Sequence, residues 1–563
     1  MSTKPRREKD LARHKAIETG RTRLIVLGTL ATLAFLVVGV RLIEITLFRG
    51  GLDSTIARVT PPSNWQTERA NILDRNGEIL ATSLHTASLY ADPIQVSDPK
   101  TAASALVHLL PDVSEKEILA RLSLRRRFTW IRRHLTPQQQ YAVNRLGIPG
   151  LYFQREERRV YPHGHLTAHV VGFTGVDNRG LAGIEKSFDE ALRSRSDPLK
   201  LSMDIRVQHI LADEIGKAMM RFRAIGGAGV VMDAVNGEIL GLVSLPDFDP
   251  SWPGVASADA MFNRATLGIY EMGSTFKIFT TAMALESGTA TIDSTYDASK
   301  PIHIARFQIK DHKPKNRRLS VPEILMYSSN IGAAKMAIEL GTTLQQTYLS
   351  KLGLLDQPSL ELPEIGSPLM PEPWRQINLM TIAYGHGLAV SPVQLTSAVS
   401  TVINGGIASP ATILDQANAP VEGIRVFSSE TSEKMRRLLR LVVDTGTASK
   451  AAAEGYLVGG KTGTAEKNDT NGYEDKMLRS SFVGVFPMHA PRYVVFVMLD
   501  EPKGDKKTFG YATGGWVSAP VVSRVISRMA PLIGVRPLNE MAIEVERQMF
   551  IEIHDRRKGL ASF

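Results

Sequence analysis

The stretch of sequence that decides the fold runs from residue 270 to residue 288 and reads YEMGSTFKIFTTAMALESG. Gly273 and Ser274 open an apolar run with helical spacing and a Ser-Gly pair closes it, so the segment predicts a helix beginning at a serine. Lys277 follows three residues later, on the same helix face. A lysine amine can remove the proton of a serine hydroxyl where burial or a second cation lowers the amine's pKa, and a helix N-terminus favours an oxyanion. The segment therefore predicts a serine nucleophile activated by lysine.

This spacing alone is weak evidence, because a chain of this length contains on the order of one or two such pairs by chance. Ser97 and Lys100 show the same spacing, but Pro99 and a loop-like context predict that no rigid helix holds that pair. Taken alone, Ser274 could equally be a serine that only caps its helix.

Two further motifs strengthen the prediction of a catalytic site. The sequence SSN at residues 328–330 lies between two helical runs and offers a hydroxyl and an amide at a turn. The sequence KTGT at residues 461–464 lies in a strand-like run, where glycines leave room for a ligand backbone to approach. Each motif alone fits ordinary loop or edge-strand polarity, but the three in this order predict one active site.

The three motifs resemble those of the class B penicillin-binding proteins, the monofunctional peptidoglycan D,D-transpeptidases. The resemblance covers nearly all of the chain beyond its first residues, and within the class the segments 177–185 and 465–467 are closer to the septal division enzymes than to the elongation enzymes. Ala70 and Met272 replace a usual glycine and a usual proline, and neither change removes a reacting group. The other resembling segments are RANILDRNG at 69–77, RVYP at 159–162, HVVGF at 169–173, GIE at 183–185, NRA at 263–265 and SPVQ at 391–394.

The resemblance implies four catalytic residues. Ser274 attacks the carbonyl of the penultimate D-alanine of a stem peptide, and Lys277 takes its proton. Ser328, with Lys461 nearby, relays a proton to the leaving amine. An amino group of a neighbouring stem peptide then accepts the acyl group and closes a cross-link, whereas β-lactams acylate Ser274 and stay attached.

The resemblance also implies the residues that bind the substrate, namely Asn330, Thr462, Gly463 and Thr464. Asn330 binds the peptide amide, and the two threonine hydroxyls hold the terminal carboxylate with Lys461 as countercharge. The backbone N–H groups of Ser274 and Thr464 form the oxyanion hole. No metal and no cofactor is expected.

Length and charge predict a division into an anchor and a soluble part. The 563 residues exceed a single hydrophobic core, and the absence of cysteine excludes thiol nucleophiles and disulfides. Residues 1–23 hold eight basic and three acidic side chains of a chain whose net charge is +10, and residues 24–40 carry no charge. We expect a cytoplasmic tail at 1–23 and a retained transmembrane helix at 24–45, since the apolar region of a cleaved signal peptide is shorter. The positive-inside rule then places the rest of the chain outside the cytoplasm.

The soluble part is expected to be a multidomain α+β protein. It would comprise a β-rich pedestal domain at 50–220, a transpeptidase domain at 225–540 and a C-terminal tail at 541–563. Asn-Gly pairs at 76–77 and 236–237 predict hairpins. Strand-like runs at both ends of the second domain, the later ones at 456–466, 480–487 and 492–499, predict an antiparallel sheet with a helical insertion.

The resemblance further implies partners and a location. The expected partners are stem peptides ending in D-Ala-D-Ala, β-lactams, a polytopic glycosyltransferase of the SEDS family and other membrane proteins of the divisome. The expected location is the bacterial inner membrane at the division septum, in a single pass with a periplasmic catalytic domain. The alternatives are an elongation-type class B enzyme or a non-catalytic β-lactam-binding scaffold of the divisome.

Two remaining patterns could indicate other functions. Residues 121–134 interleave arginines with Phe128 and Trp130, as in single-stranded nucleic-acid grooves. The expected location excludes nucleic acid, so we predict a solvated basic face with both rings turned inward. His163, His165 and His169 have a spacing that could bind zinc, but no acidic residue lies among them and no metal site is expected.

Overall fold

The structure, a computed structural model, describes residues 29–30, 32–39, 69–195, 197–304, 307–416, 423–467, 477–540, 542–549 and 551. The chain divides into two units, residues 1–66 and residues 67–563. In the first unit, the described residues 29–30 and 32–39 are helical; the predicted tail 1–23 and the rest of the predicted membrane helix 24–45 lie outside the described residues, as does most of the predicted C-terminal tail. Among the helices that are described, none is both long and apolar enough to cross a membrane.

The second unit begins with the predicted β-rich part. Its elements are β1 (Ile72–Leu73), β2 (Ile79–Ala91), α1 (Pro99–Leu109), α2 (Glu115–Leu122), β3 (Thr129–Leu135), α3 (Pro137–Arg145), β4 (Leu151–Val160), α4 (Ala168–Val171), β5 (Phe173–Thr174), β6 (Gly180–Ala182), α5 (Gly183–Ser187), α6 (Asp189–Ser194) and β7 (Leu199–Lys200). The long strand β2 pairs with β1, β3 and β4 in antiparallel fashion, and β1 pairs with β7 in parallel. The predicted hairpin at residues 76–77 is confirmed, since it joins β1 to β2.

A buried ionic network connects the beginning of this part to its later strands and helices. Nε of Arg69 donates to Glu185 at 2.7 Å, and Nε of Arg159 donates to the other oxygen of the same carboxylate at 2.6 Å. Arg69 also donates to Asp189 at 2.7 Å. Both arginine side chains and Glu185 are essentially inaccessible to solvent, so the pairs compensate charges that could not be buried singly.

The remaining elements cover the predicted transpeptidase range 225–540, with one helix on either side of it. They are α7 (Ile205–Phe222), β8 (Gly226–Asp233), β9 (Ile239–Leu245), α8 (Ala258–Met261), β10 (Tyr270–Glu271), α9 (Lys277–Glu286), β11 (Thr295–Asp297), β12 (Ile302–Ile304), β13 (Phe307–Ile309), β14 (Arg318–Ser320), α10 (Val321–Tyr327), α11 (Asn330–Leu340), α12 (Thr342–Lys351), α13 (Gln376–Ile382), β15 (Ala389–Val390), α14 (Pro392–Ile403), β16 (Ile407–Ala408), β17 (Ile424–Arg425), α15 (Ser429–Asp444), β18 (Gly459–Glu466), β19 (Leu478–Phe486), β20 (Tyr493–Asp500), α16 (Ser518–Met529) and α17 (Ile543–Met549). Short 3₁₀ helices lie at Gly164–Thr167, Pro253–Val255, Gly273–Phe276, Ser449–Ala451 and Lys506–Thr508.

The central sheet joins strands from both ends of this part, as predicted. Its order is β18-β19-β20-β8-β9 with antiparallel pairing throughout, and the helices from α8 to α15 are inserted between β9 and β18. Helices α7 and α16 pack on each other and on the sheet, while α14 and α15 pack on each other and on β8, β18 and β20. Helix α7 falls within the predicted pedestal range, yet it packs on β8 and β9.

Strand β18 lies at one edge of this sheet, and its neighbour in space is the 3₁₀ helix Gly273–Phe276. An edge strand has backbone N–H and C=O groups that no neighbouring strand uses, so an extended peptide can pair with it. The fold therefore brings the predicted nucleophile to an edge of the sheet where a peptide substrate could bind.

Candidate active site

Ser274 lies in a tight turn between β10 and α9. The turn is a 3₁₀ helix over Gly273–Phe276, and the α-helix begins only at Lys277. Gly273 has a φ of +53°, and its N–H donates to the carbonyl of Gly385 at 3.1 Å. A Cβ on Gly273 would lie 2.7 Å from the carbonyl oxygen of Thr464, so only glycine allows the turn to approach strand β18 this closely.

Lys277 is positioned as the base of the predicted pair. Its Nζ lies 2.7 Å from Oγ of Ser274, 2.7 Å from Oδ1 of Asn330 and 2.9 Å from the carbonyl oxygen of Ser328. The side chain is fully buried. Burial, and then the charge of Lys461, lower the pKa of Lys277 well below its usual value, while Asp311 opposes the shift. A neutral amine in this position can accept the serine proton.

Ser328 connects the two lysines. Its Oγ lies 3.2 Å from Nζ of Lys277 and 2.9 Å from Nζ of Lys461. The residue ends α10 in the left-handed region with a φ of 61°, a strained position that turns its hydroxyl toward both amines. Burial lowers the pKa of Lys461 to about 7, so near neutral pH this amine can either hold or release a proton.

Asn330 uses both ends of its amide. Oδ1 faces Lys277, and Nδ2 donates to the carbonyl of Lys310 at 3.0 Å, which leaves the second N–H of that nitrogen for a ligand. Ser329 caps α11 through the N–H of Gly332 at 3.0 Å. The turn thus holds the amide at the mouth of the site.

The KTGT segment lies on the edge strand β18 with its side chains on alternate faces. Lys461 is fully buried on the side of Ser328, and a Cβ on Gly463 would lie 2.7 Å from the carbonyl oxygen of Met272. On the other face, Oγ1 of Thr462 lies 3.2 Å from Oγ1 of Thr447. Nζ of Lys461 lies 3.4 Å from the same Oγ1 of Thr462, so contacts through Lys461 and Ser328 connect this strand to Lys277 and Ser274.

Thr464 offers both a hydroxyl and a backbone N–H to this region. Its Oγ1 accepts a hydrogen bond from the N–H of Gly514 at 3.1 Å, so the hydroxyl proton remains available for a carboxylate. Its backbone nitrogen faces the nucleophile turn, because a Cβ on Gly273 would lie 3.3 Å from it. This placement is compatible with the predicted oxyanion hole.

Sequence reasoning missed Asp311, which holds the SSN turn in place. Its two carboxylate oxygens accept from the hydroxyl of Ser329 at 2.7 Å and from the N–H of Ile331 at 3.0 Å, and the side chain is almost fully buried. It also missed Thr447, which faces the KTGT strand. Neither residue lies in a motif with a recognisable spacing, so only the tertiary fold reveals them.

The second serine-lysine pair of the sequence forms no such site. Pro99 is the first residue of α1, so Lys100 is helical and the prediction of a loop there was wrong. Asp98, not Ser97, caps that helix, by accepting from the N–H groups of Lys100 and Thr101. A proline is well tolerated at the first position of a helix, so Pro99 does not prevent this one.

The three histidines of the 163–169 segment face different partners. Nε2 of His163 lies 3.4 Å from Glu78, and Nδ1 of His165 lies 3.2 Å from Asp247. His169 packs against Phe248, and burial lowers its pKa to about 4. Within the described part of the chain, no cluster of metal-ligating side chains could hold a metal ion.

The basic segment 121–134 is less buried than predicted. Phe128 is 44% exposed and packs on Tyr90 at a centroid distance of 4.9 Å, so the prediction that its ring turns inward was wrong. Tyr90 lies directly opposite Trp130 and Tyr152 on its neighbouring strands, and these cross-strand pairs hold the rings on the solvent face of the sheet.

Comparisons with known proteins find matches over both parts of the second unit. The family model of the penicillin-binding protein transpeptidase domain matches residues 227–527, and that of the penicillin-binding protein dimerisation domain matches residues 65–206. The "Probable peptidoglycan D,D-transpeptidase FtsI" of Caulobacter vibrioides is 40% identical over 488 residues, which cover 84% of this chain and 82% of that protein. The "Peptidoglycan D,D-transpeptidase FtsI" of Escherichia coli is 30% identical and covers 95% of both chains. The solved transpeptidase domain of penicillin-binding protein 3 from Burkholderia pseudomallei is 35% identical with a TM-score of 0.54, over 60% of this chain and 97% of that one.

Proposed function

The chain belongs to the class B penicillin-binding proteins of the peptidoglycan D,D-transpeptidase type, and on this premise we propose that it cross-links stem peptides through an acyl-enzyme at Ser274. The observation that carries the proposal is the placement of Lys277. Its amine is fully buried, lies 2.7 Å from Oγ of Ser274 and has a pKa lowered by burial and by a second lysine.

In the first half of the reaction, neutral Lys277 takes the proton of Ser274 while Oγ attacks the carbonyl of the penultimate D-alanine. A positioned base of this kind typically contributes about 10² to 10⁴ in rate. The oxyanion is stabilised by the backbone N–H groups of Ser274 and Thr464. The proton then passes from Lys277 through the hydroxyl of Ser328 to the nitrogen of the leaving D-alanine, since Ser328 lies within 3.2 Å of Lys277.

The terminal carboxylate of the substrate is recognised at the KTGT strand. The hydroxyls of Thr462 and Thr464 donate to it, and Lys461 supplies the opposite charge. A carboxylate beside Lys461 favours its protonated form, so substrate binding itself charges the amine that faces Ser328. Asn330 binds the peptide amide of the stem, and Gly463 lets that peptide run alongside β18.

The position of the protein in the cell is part of the same proposal. The basic tail 1–23 and the uncharged run 24–40 support a single-pass anchor in the inner membrane with a periplasmic catalytic domain. Septal action, a polytopic SEDS glycosyltransferase as partner and contacts with other divisome proteins extend the proposal further. A fluorescent fusion tests it: enrichment at mid-cell is expected, and enrichment along the side wall alone would favour an elongation enzyme.

Labelling with a fluorescent penicillin tests the enzymatic proposal. We expect a covalent adduct on the wild-type protein and none on Ser274→Ala. The matched control is Ser97→Ala, because Ser97 belongs to the pair that forms no site. Absence of an adduct on the wild type, or an undiminished adduct on Ser274→Ala, would reject the acyl-enzyme. An adduct without any transpeptidation of stem peptides would favour the non-catalytic scaffold.

A further inference from the structure

A transpeptidase of the kind proposed above must dispose of one proton more than Lys277 can take, and the present inference rests on that proposed function. A lysine-type side-chain amine has a pKa near 10.4, so at neutral pH fewer than roughly one molecule in a thousand is unprotonated. The attacking nitrogen arrives as an ammonium group with three protons and ends as an amide N–H with one. Lys277 can take one of the two lost protons and return it to Oγ of Ser274. The other proton needs a second acceptor.

The loop before β15 contacts the nucleophile turn and carries a histidine. The carbonyl of Gly385 accepts the hydrogen bond from Gly273, the residue directly before the nucleophile. The next residue is His386, whose ring packs edge-on against Tyr384 with centroids 5.4 Å apart. Nζ of Lys277 lies 6.0 Å from the centre of the same tyrosine ring. One aromatic ring therefore separates this imidazole from the base, and 38% of the imidazole side chain is exposed to solvent.

Glu271, the last residue of β10, fixes the orientation of this imidazole. Its Oε2 lies 3.1 Å from Nδ1 of His386, and its Oε1 accepts from the N–H of Gly387 at 2.7 Å. Burial raises the pKa of Glu271, but the hydrogen bonds from His386 and Gly387 outweigh burial and hold the pKa below its usual value. A carboxylate only accepts hydrogen bonds, so in the neutral imidazole Nδ1 of His386 carries the proton and Nε2 keeps the lone pair.

The charged and titratable groups around the pair come from several elements. Arg479 on β19 helps to lower the pKa of Glu271, and Asp500 on β20 lies 3.4 Å from Arg479. Burial raises the pKa of Tyr384 to about 12, so its phenol stays protonated at neutral pH and cannot act as the base. An imidazole nitrogen that keeps its lone pair can accept a proton.

We propose that Nε2 of His386 accepts the first proton of the acceptor ammonium, with Glu271 as its positioning residue. The resulting neutral amine attacks the acyl carbonyl of the Ser274 ester. Its second proton passes to Lys277 and then to Oγ of Ser274 as the ester C–O bond breaks. The imidazolium releases its proton to solvent. One amide bond forms, one ester bond breaks, and one proton leaves the site for each cross-link.

The test compares the two ways in which the acyl-enzyme is consumed. The full-length wild type, His386→Gln and Glu271→Gln react with a D-alanyl thioester as donor and a stem peptide with a free lysine side-chain amine as acceptor. Hydrolysis and aminolysis products are measured in the same reactions between about pH 7 and about pH 10, which brackets the deprotonation of the acceptor. Water is a neutral nucleophile, so Lys277 alone suffices for hydrolysis, whereas an ammonium acceptor also needs His386.

At pH 7 we expect the ratio of aminolysis to hydrolysis to fall about 10²-fold in His386→Gln, the typical contribution of a general base. The loss should vanish near pH 10, where the acceptor is largely neutral by itself. Glu271→Gln should give a smaller loss with the same pH dependence. His209→Gln is the matched control, because His209 is an exposed histidine of α7, and it should keep the wild-type ratio.

An unchanged ratio at pH 7 in His386→Gln, or a loss that persists at pH 10, would overturn the proposal. Labelling by fluorescent penicillin is measured in parallel because it needs no acceptor. An adduct on His386→Gln shows that its fold and nucleophile are intact. Absence of an adduct on the wild type would contradict the proposed function of Ser274 instead, so the two failures are distinguishable.

Discussion

Replacing Lys461 with methionine tests whether repulsion between two lysines helps to keep Lys277 neutral. The two amines lie 3.2 Å and 2.9 Å from Oγ of Ser328, so they are no more than about 6 Å apart. Two unit charges at that separation repel by about 3 kcal/mol at an effective dielectric constant of about 20. This energy corresponds to roughly a hundredfold change in a protonation equilibrium.

The sign of the effect follows from the role of Lys277, which is a base only when neutral. Burial lowers the pKa of Lys461 to about 7, so below that pH Lys461 is charged and disfavours a proton on Lys277. The substitution removes this repulsion, and a larger share of Lys277 is then protonated at acidic pH. The acid side of the acylation profile should therefore move to higher pH. Above about pH 7 the wild-type Lys461 is largely neutral, so the effect of its charge on the protonation of Lys277, which we call the coupling, should fade there.

The assay is the second-order rate constant of acylation by a fluorescent penicillin as a function of pH. Lys461→Met should slow acylation because the countercharge for the β-lactam carboxylate is gone, and this loss should be smaller above about pH 7, where Lys461 is already largely neutral. The coupling adds a further loss, of up to roughly a hundredfold, on the acidic side alone. A loss of equal size at every pH would refute the reasoning. Lys217→Met, at an exposed lysine of α7, is the matched control and should leave the profile unchanged.

In Gly463→Ala, the added Cβ would lie 2.7 Å from a backbone carbonyl, and overpacking of this kind costs about 1–3 kcal/mol. We therefore expect this substitution to slow penicillin acylation by about tenfold or more. Gly254→Ala is the matched control and should not slow acylation, because its Cβ meets open space. Glu185→Gln removes the carboxylate shared by two buried arginines and should lower the free energy of unfolding in denaturant titrations by about 3–5 kcal/mol, whereas Glu430→Gln, at an exposed helix pair, should change it by less than about 0.5 kcal/mol. Asp311→Ala leaves two buried donors of the SSN turn without their acceptor. It should lower the free energy of unfolding by about 1–3 kcal/mol and measurably slow acylation. Wild-type rates and stability would show that the turn keeps its conformation without Asp311.

Much of the fold could be predicted because local signals and tertiary structure agree. The Asn-Gly pair at 236–237 joins β8 to β9, as the one at 76–77 joins β1 to β2, and in both the glycine has a positive φ. The strand-like runs near residues 460, 480 and 495 became β18, β19 and β20. The three site motifs could be predicted for a similar reason, because each needs a specific local structure that its own residues favour.

The remainder of the site could not be predicted because it depends on contacts between distant segments. Asp311 accepts from Ser329 and Ile331, which lie about twenty residues further along the chain, and no spacing rule links a loop carboxylate to a helix start. The left-handed conformation of Ser328 is equally invisible, since serine seldom adopts it and the surrounding packing must impose it. The pairing of Glu271 with His386 joins β10 to the loop before β15, and β10 and β15 are too brief to leave a periodic signal.

The share of Lys277 that is neutral, and so able to act as a base, depends on how closely backbone segments approach one another around Ser274. A Cβ at Gly385 would collide with the backbone of Gly273, and a Cβ at Gly514 would lie 2.5 Å from the carbonyl oxygen of Gly463. Because these residues are glycines, three backbone segments meet at β18 without intervening side chains. The segments are the turn that carries Ser274, the loop before β15 and the segment after β20. The closeness of these segments excludes water from Lys277, and burial is the largest cause of its lowered pKa. Any side chain inserted at these contacts would admit solvent and favour the protonated amine, so the same glycines that allow the packing also make the lysine a base.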